Sequence, residues 1–176
     1  MEDFSGNKGT RENQLIFFME KYGDALLRIC SVYLRDSALA EDAVQETFVK
    51  VYKTFEGFRG ECSEKTWLMR IAINTCKDIR RSAWYRYVDR RVTLDSIPVP
   101  SCPPAPEQTR LAIEIMKLPP KYMEVVLLYY YQGMTMIEIG KVLGIPNQTV
   151  SSRLTIARNK LRLNLEGGRT DEPIPL

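Results

Sequence analysis

Half of the chain's ten prolines lie in one stretch, "VTLDSIPVPSCPPAPEQT", residues 92–109. Proline has no backbone N–H and biases the residue before it towards extended conformations, so no helix is expected to run through this stretch. A chain of 176 residues interrupted there reads as two bodies on a semi-extended tether. Their expected limits are 13–88 and 109–165, with the linker over 89–108 and a frayed tail over 166–176.

Both bodies carry helical periodicity, so the expected fold is all-α, two small helical domains. In the first body, "ENQLIFFMEKYGDALLRICSVYL" sets Leu15, Phe18, Met19, Tyr22, Leu26, Ile29, Cys30 and Tyr33 at helical spacing. "DSALAEDAVQETFVKVYKTF" opens on Asp36, a candidate N-cap, and strings Leu39, Ala43, Val44, Phe48, Val51 and Phe55 along one stripe. Glu41, Asp42, Gln45, Glu46 and Lys50 lie largely off that stripe. Past the loop "EGFRGEC", Ser63 can cap a third helix, "EKTWLMRIAINTCKDIRRSAW". There Leu68, Ile71, Ala72, Thr75 and Ile79 share a face, while Arg70, Asn74, Lys77 and Arg81 project from the opposite one. By itself that basic side is equally a solvated face and a polyanion contact.

The second body tips the balance. "PEQTRLAIEIMKL" and "PPKYMEVVLLYYYQG" read as helices, the latter with proline in its first turn and Gly133 at its end. Thr135 can then cap a short helix to Val142 or Leu143, Gly144 reverses the chain, and Asn147 can cap a last helix. A short helix, a glycine-bearing turn and a second helix form a helix-turn-helix pattern. Val150, Leu154, Ala157 and Leu161 make the inner stripe of that last helix. Outside lie Ser151, Ser152, Thr155, Asn159 and Arg162, flanked by Arg153, Arg158 and Lys160. Small hydroxyls framed by arginines suit close approach to a major groove, where they can bond base edges or phosphates.

Charge is segregated along the chain. Residues 36–64 hold seven acids against Lys50, Lys53 and Arg59, a balance of −4. Residues 65–91 balance at +6 and residues 109–164 at +5. Two basic blocks imply two contacts on one polyanion, with the acidic surface kept for another partner. The chain has no histidine and no Cys-x-x-Cys pair, which argues against zinc and against histidine-based catalysis. Cys30, Cys62, Cys76 and Cys102 read as reduced thiols, with redox sensing by Cys62 or Cys102 as the alternative. No apolar run reaches the length of a membrane span and the polar N-terminus carries no secretory signal, so a cytoplasmic protein is expected.

The stretch "DSALAEDAVQETFVKVYKTFEGFRGECSEKTWLMRIAINTCKDIRR" resembles the second conserved region of bacterial sigma-70-type transcription factors. "LPPKYMEVVLLYYYQGMTMIEIGKVLGIPNQTVSSRLTIARNKLR" resembles the fourth. Their order, with only a short linker between them, is similar to the extracytoplasmic function (ECF) class. The resemblance implies a non-enzymatic subunit without a cofactor that binds core RNA polymerase and promoter DNA. It implies that Glu41, Asp42, Gln45 and Glu46 meet the β′ clamp helices, with the β flap as a further contact. For the −10 element it nominates Phe58, Arg59, Gly60, Ser63, Lys65, Thr66, Trp67, Arg70, Asn74, Lys77, Arg80 and Arg81, with Trp67 equally suited to core packing. For the −35 element it nominates Gln148, Thr149, Ser151, Ser152, Arg153, Thr155, Arg158 and Arg162.

It also implies an anti-sigma factor, often membrane-anchored. Ser151 and Ile156 stand where many relatives carry basic residues, which leaves the −35 sequence open. Gly140 stands where alanine is common, and either residue is expected to permit close helix packing. A stand-alone helix-turn-helix repressor or activator is the alternative reading. A hydrolase using the carboxylates of 36–64 is a more distant one, since those acids form no site motif.

Overall fold

A computed structural model describes the backbone of residues 8–82 and 106–167, and side chains over 11–82 and 110–166. The described residues are helical, with no strand among them. The first body comprises α1 (Lys8–Leu34), α2 (Ser37–Thr54) with a short helical turn at Phe55–Gly57, and α3 (Glu64–Arg81). The second comprises α4 (Pro106–Lys117), α5 (Pro120–Val126) running on as a π turn (Leu127–Tyr131), α6 (Met136–Leu143) and α7 (Asn147–Gly167). The expected linker between 89 and 105 lies outside the described residues. Helix α4 takes in Pro106, Glu107 and Gln108, which the sequence reading had given to the linker. Proline is tolerated there because a first-turn N–H has no intrahelical partner to lose.

The helix ends follow the local chemistry. The Asp36 side chain accepts from Leu39 N at 2.9 Å, and Ser63 Oγ accepts from Thr66 N at 3.1 Å. Thr135 forms a capping box, its hydroxyl accepting from Glu138 N while the Glu138 carboxylate accepts from Thr135 N at 2.8 Å. Those bonds from Thr135 hold the Glu138 carboxyl below its ordinary range. Thr135→Ala is expected to cost about 1 kcal/mol, read as a lower midpoint in thermal unfolding at neutral pH. A depressed carboxyl pKa means the Glu138 contribution is full at neutral pH and is lost as pH falls through the folded value. Asn147 does not cap α7. It is the first helical residue, and Pro146 O receives the N–H groups of Thr149 and Val150 at 2.9 and 3.2 Å.

The apolar stripes sit where the periodicity sets them. Leu39, Ala43, Phe48 and Val51 of α2 are buried, as are Val150, Leu154 and Ala157 of α7. Met19, expected on the buried side of α1, is instead 48% exposed. In α3, Met69, Ile73 and Cys76 are buried beside Leu68, Ala72 and Thr75, so the helix is covered over a wider arc than one apolar face. Cys30 and Cys76 face each other across α1 and α3, sulfur to sulfur at 3.5 Å, and remain free thiols.

The α6–α7 turn is tight. Gly144 adopts φ +66, the left-handed cap that glycine enters without a Cβ penalty. At Gly140, a Cβ would stand 2.8 Å from the carbonyl oxygen of Ile145. The expectation that alanine would serve equally well there is therefore corrected. The obstacle is backbone, which cannot swing aside as a side chain can.

Candidate nucleic-acid interface

Three surfaces carry the residues singled out in the sequence. On α2, Glu41, Asp42, Gln45 and Glu46 are all exposed, and Glu46 pairs with Lys50 at 3.0 Å. Beside them runs a groove of about 810 Å³ between α1 and α2, floored by Leu15, Leu27, Val44 and Phe48. Met19 and Val49, both about half exposed, flank it. The sequence reading found the acids and missed the groove, because Met19 fits a buried stripe by spacing alone.

The residues nominated around α3 divide into three groups. Ser63 and Thr66 serve the cap: Thr66 is fully buried, and its hydroxyl lies 2.9 Å from that of Ser63. Trp67 packs, with Phe58 stacked on it at 4.7 Å between ring centroids and Phe55 edge-on at 6.3 Å. Arg59, Gly60, Asn74 and Arg81 are exposed. The third group faces the second body. Lys65 donates to the carbonyl of Gln132, Arg70 Nε donates to the carbonyl of Lys141 at 3.0 Å, and Lys77 Nζ lies 3.4 Å from the Glu124 carboxylate. Arg80 lies with its guanidinium 5.2 Å from the ring of Tyr33.

Glu124 is a residue the sequence reading counted only as a charge. It is 4% exposed on α5 and also accepts from the Tyr33 hydroxyl at 2.7 Å. Burial, then the Glu124 carboxylate, drives the Tyr33 phenol well above its ordinary pKa, so Tyr33 stays a donor. The signal available was an acid alone in the apolar run "YMEVVLL". A charge in such a run is tolerated when it is paired.

On α7 the nominated face is open. Gln148, Ser151, Ser152, Thr155, Arg158 and Arg162 are exposed, and Thr149 and Arg153 are half-buried. Ser152 and Thr155 donate their hydroxyl protons to the carbonyls of Thr149 and Ser151, each at 3.1 Å. Their outward lone pairs are left as acceptors. Arg158 Nε donates to the Tyr130 hydroxyl at 2.7 Å, and its guanidinium lies 5.6 Å from the rings of both Tyr129 and Tyr130. Fixing Nε in this way leaves the terminal nitrogens of the fork to reach outward. Ile156 is 40% exposed on the same side. Among the described residues no cluster of acids or thiols could hold a metal ion, and no helix is long and apolar enough to cross a membrane.

Residues 18–86 match the model for Sigma-70 region 2, and residues 115–163 match that for Sigma-70, region 4. The ECF RNA polymerase sigma factor SigW of Bacillus subtilis is 34% identical over 158 residues, spanning 82% of this chain and 84% of that protein. The chain belongs to the ECF class of RNA polymerase sigma factors. The sigma-H factor of Pseudomonas aeruginosa is 30% identical to this sigma factor over 155 residues, covering 80% of each. Among solved structures, CnrH in complex with the cytosolic domain of CnrY matches with a TM-score of 0.69 at 26% identity, over 92% of this chain and 91% of that one. The sigma factor RpoE of Bartonella quintana, in complex with the anti-sigma factor NepR, shares the fold with a TM-score of 0.70 at 21% identity. The CnrH match spans both bodies of this sigma factor, including their position against each other.

Proposed function

We propose that this sigma factor is a non-enzymatic specificity subunit, acting in the cytoplasm, that joins core RNA polymerase and brings it to promoters through two contacts. The observation that carries the reading is the pairing, in one chain, of an exposed acidic D-x-x-Q-E face on α2 with an acid-free, capped helix-turn-helix. The α2 face and its neighbouring groove suit a helical partner in the polymerase clamp. The charged rim steers and the apolar floor holds. The α3 end and the loop before it, from Phe58 to Arg81, serve the −10 element, where strand opening exposes bases to Arg59, Asn74 and the neighbouring cations. The outer face of α7 reads the −35 element. Relatives seen with an inhibitory or cytosolic partner support an anti-sigma factor for this chain as well.

The experiment combines purified protein, core polymerase and a fragmented genomic library, and sequences the run-off transcripts. Discrete starts that depend on the protein support the reading and reveal both elements. Palindrome binding without polymerase and without new starts would transfer it to a free-standing regulator.

One consequence concerns Tyr130, which no motif nominates. Arg158→Ala is expected to weaken binding of a duplex carrying the mapped upstream element by roughly 1–3 kcal/mol. Tyr130→Phe keeps the ring and removes the acceptor that orients Arg158, and should cost roughly 0.5–1.5 kcal/mol. In the Arg158→Ala background the Tyr130 change should have almost no further effect. Additive losses in that double-mutant cycle would show that Tyr130 acts independently of Arg158.

A further inference from the structure

We infer that the arrangement of the two bodies is a self-inhibited state, in which Glu124 of the second body occupies the place of a nucleic-acid phosphate on the basic face of α3. The inference rests on the promoter reading of that face. Lys65, Arg70 and Lys77 project from α3 and are among the residues nominated for the −10 element. All three are spent on oxygens of the second body: the Gln132 carbonyl, the Lys141 carbonyl and the Glu124 carboxylate. Ile73, on the same stripe as Arg70 and Lys77, is fully buried, so the middle of this face is closed to a strand of DNA.

Glu124 has the features of a latch. It projects from an apolar stretch of α5, and both of its polar partners, Tyr33 on α1 and Lys77 on α3, belong to the first body. A nearly buried carboxylate is costly unless paired, so the contact is favourable when made and the carboxylate takes up water when the bodies part. Intermediate separations leave a desolvated charge without a partner. The protein is thereby biased towards two discrete states, closed and open. In the closed state the outer face of α7 remains exposed. The free protein then keeps its duplex-reading helix while its strand-reading face is covered, and core polymerase must separate the bodies to complete the pair. The inhibitor is built into the chain and needs no second protein.

The test uses the full chain. Glu124→Lys sets two ammonium groups against each other at the latch, and Glu20→Lys, on the exposed side of α1, carries the same charge change elsewhere. Small-angle scattering reports the separation of the bodies, and circular dichroism reports helix content. Anisotropy of a fluorescein-labelled random-sequence single-stranded pool reports access to α3. Glu124→Lys should enlarge the radius of gyration and tighten single-strand binding roughly fivefold or more over Glu20→Lys, since apparent affinity scales with the open fraction.

Glu124→Gln, which keeps volume and loses charge, should move both readouts the same way by a smaller amount, and stands in if the lysine variant loses helix. Unchanged scattering and affinity in both variants would overturn the latch. So would a larger radius with unchanged single-strand affinity, because the uncovered face would then not be a nucleic-acid site. Protein-dependent transcription starts persisting alongside either result would show that the latch has failed and the sigma function has not.

Discussion

Asp42→Arg combined with Glu46→Arg is expected to abolish binding to core RNA polymerase while leaving the fold intact. Both side chains are exposed on α2, opposite the buried stripe of Leu39, Ala43, Thr47, Phe48 and Val51, so the reversal touches no packing. The structural cost is confined to the Glu46–Lys50 pair, an exposed i,i+4 contact worth a few tenths of a kcal/mol. The cost at the interface is larger. Two acids that meet basic partners become two cations that repel them, a loss of roughly 2–5 kcal/mol, or about thirtyfold and upward in affinity. Competition for core polymerase against a labelled sigma factor measures it, with thermal unfolding as the control. Unchanged affinity in a protein with an unchanged midpoint would remove α2 from the docking surface.

Gly140→Val is expected to disable the helix-turn-helix from within. The valine Cβ would press on the Ile145 carbonyl at 2.8 Å, beside the bond in which Ile145 N donates to Gly140 O at 3.1 Å. Overpacking of this kind costs roughly 1–3 kcal/mol, and the better helix propensity of valine returns only a few tenths. To relieve the contact, α7 must shift away from α6, which disturbs Arg153 and Arg158 together. The expected readings are a lower unfolding midpoint and lost upstream-element binding, with core polymerase binding retained through α2. A variant with normal midpoint and normal duplex affinity would show that the turn yields without cost.

Much of the fold was legible because its determinants are local. Asp36, Ser63, Thr135 and Gly144 each act over three or four residues, and a reader of the sequence needs only the side chain and its spacing to place them. The −35 face was legible for the same reason, since Val150, Leu154 and Ala157 define which side of α7 is inward. What escaped was decided at long range. Nothing near Glu124 in sequence announces Tyr33 or Lys77, and the covered side of α3 looks, by period alone, like a solvated basic face. Asn147 was a plausible cap, but Pro146 already offers its carbonyl one residue earlier. The groove beside Asp42 depends on how α1 and α2 splay, which no spacing rule reports.

The π turn at Leu127–Tyr131 sets a rule about chain length. Within it, Gln132 N reaches back to Leu127 O at 3.2 Å, five residues rather than four. That turn therefore accommodates one residue more than a regular helix would. Each helical residue advances the chain by about 100° around the axis. Removing a single tyrosine from "YYY" would restore the regular helix and swing everything downstream through about that angle. The sequence of the helix-turn-helix would be untouched, yet its reading helix would point elsewhere. This sigma factor should consequently tolerate replacement of Tyr131 far better than its deletion, because the number of residues here aims the domain.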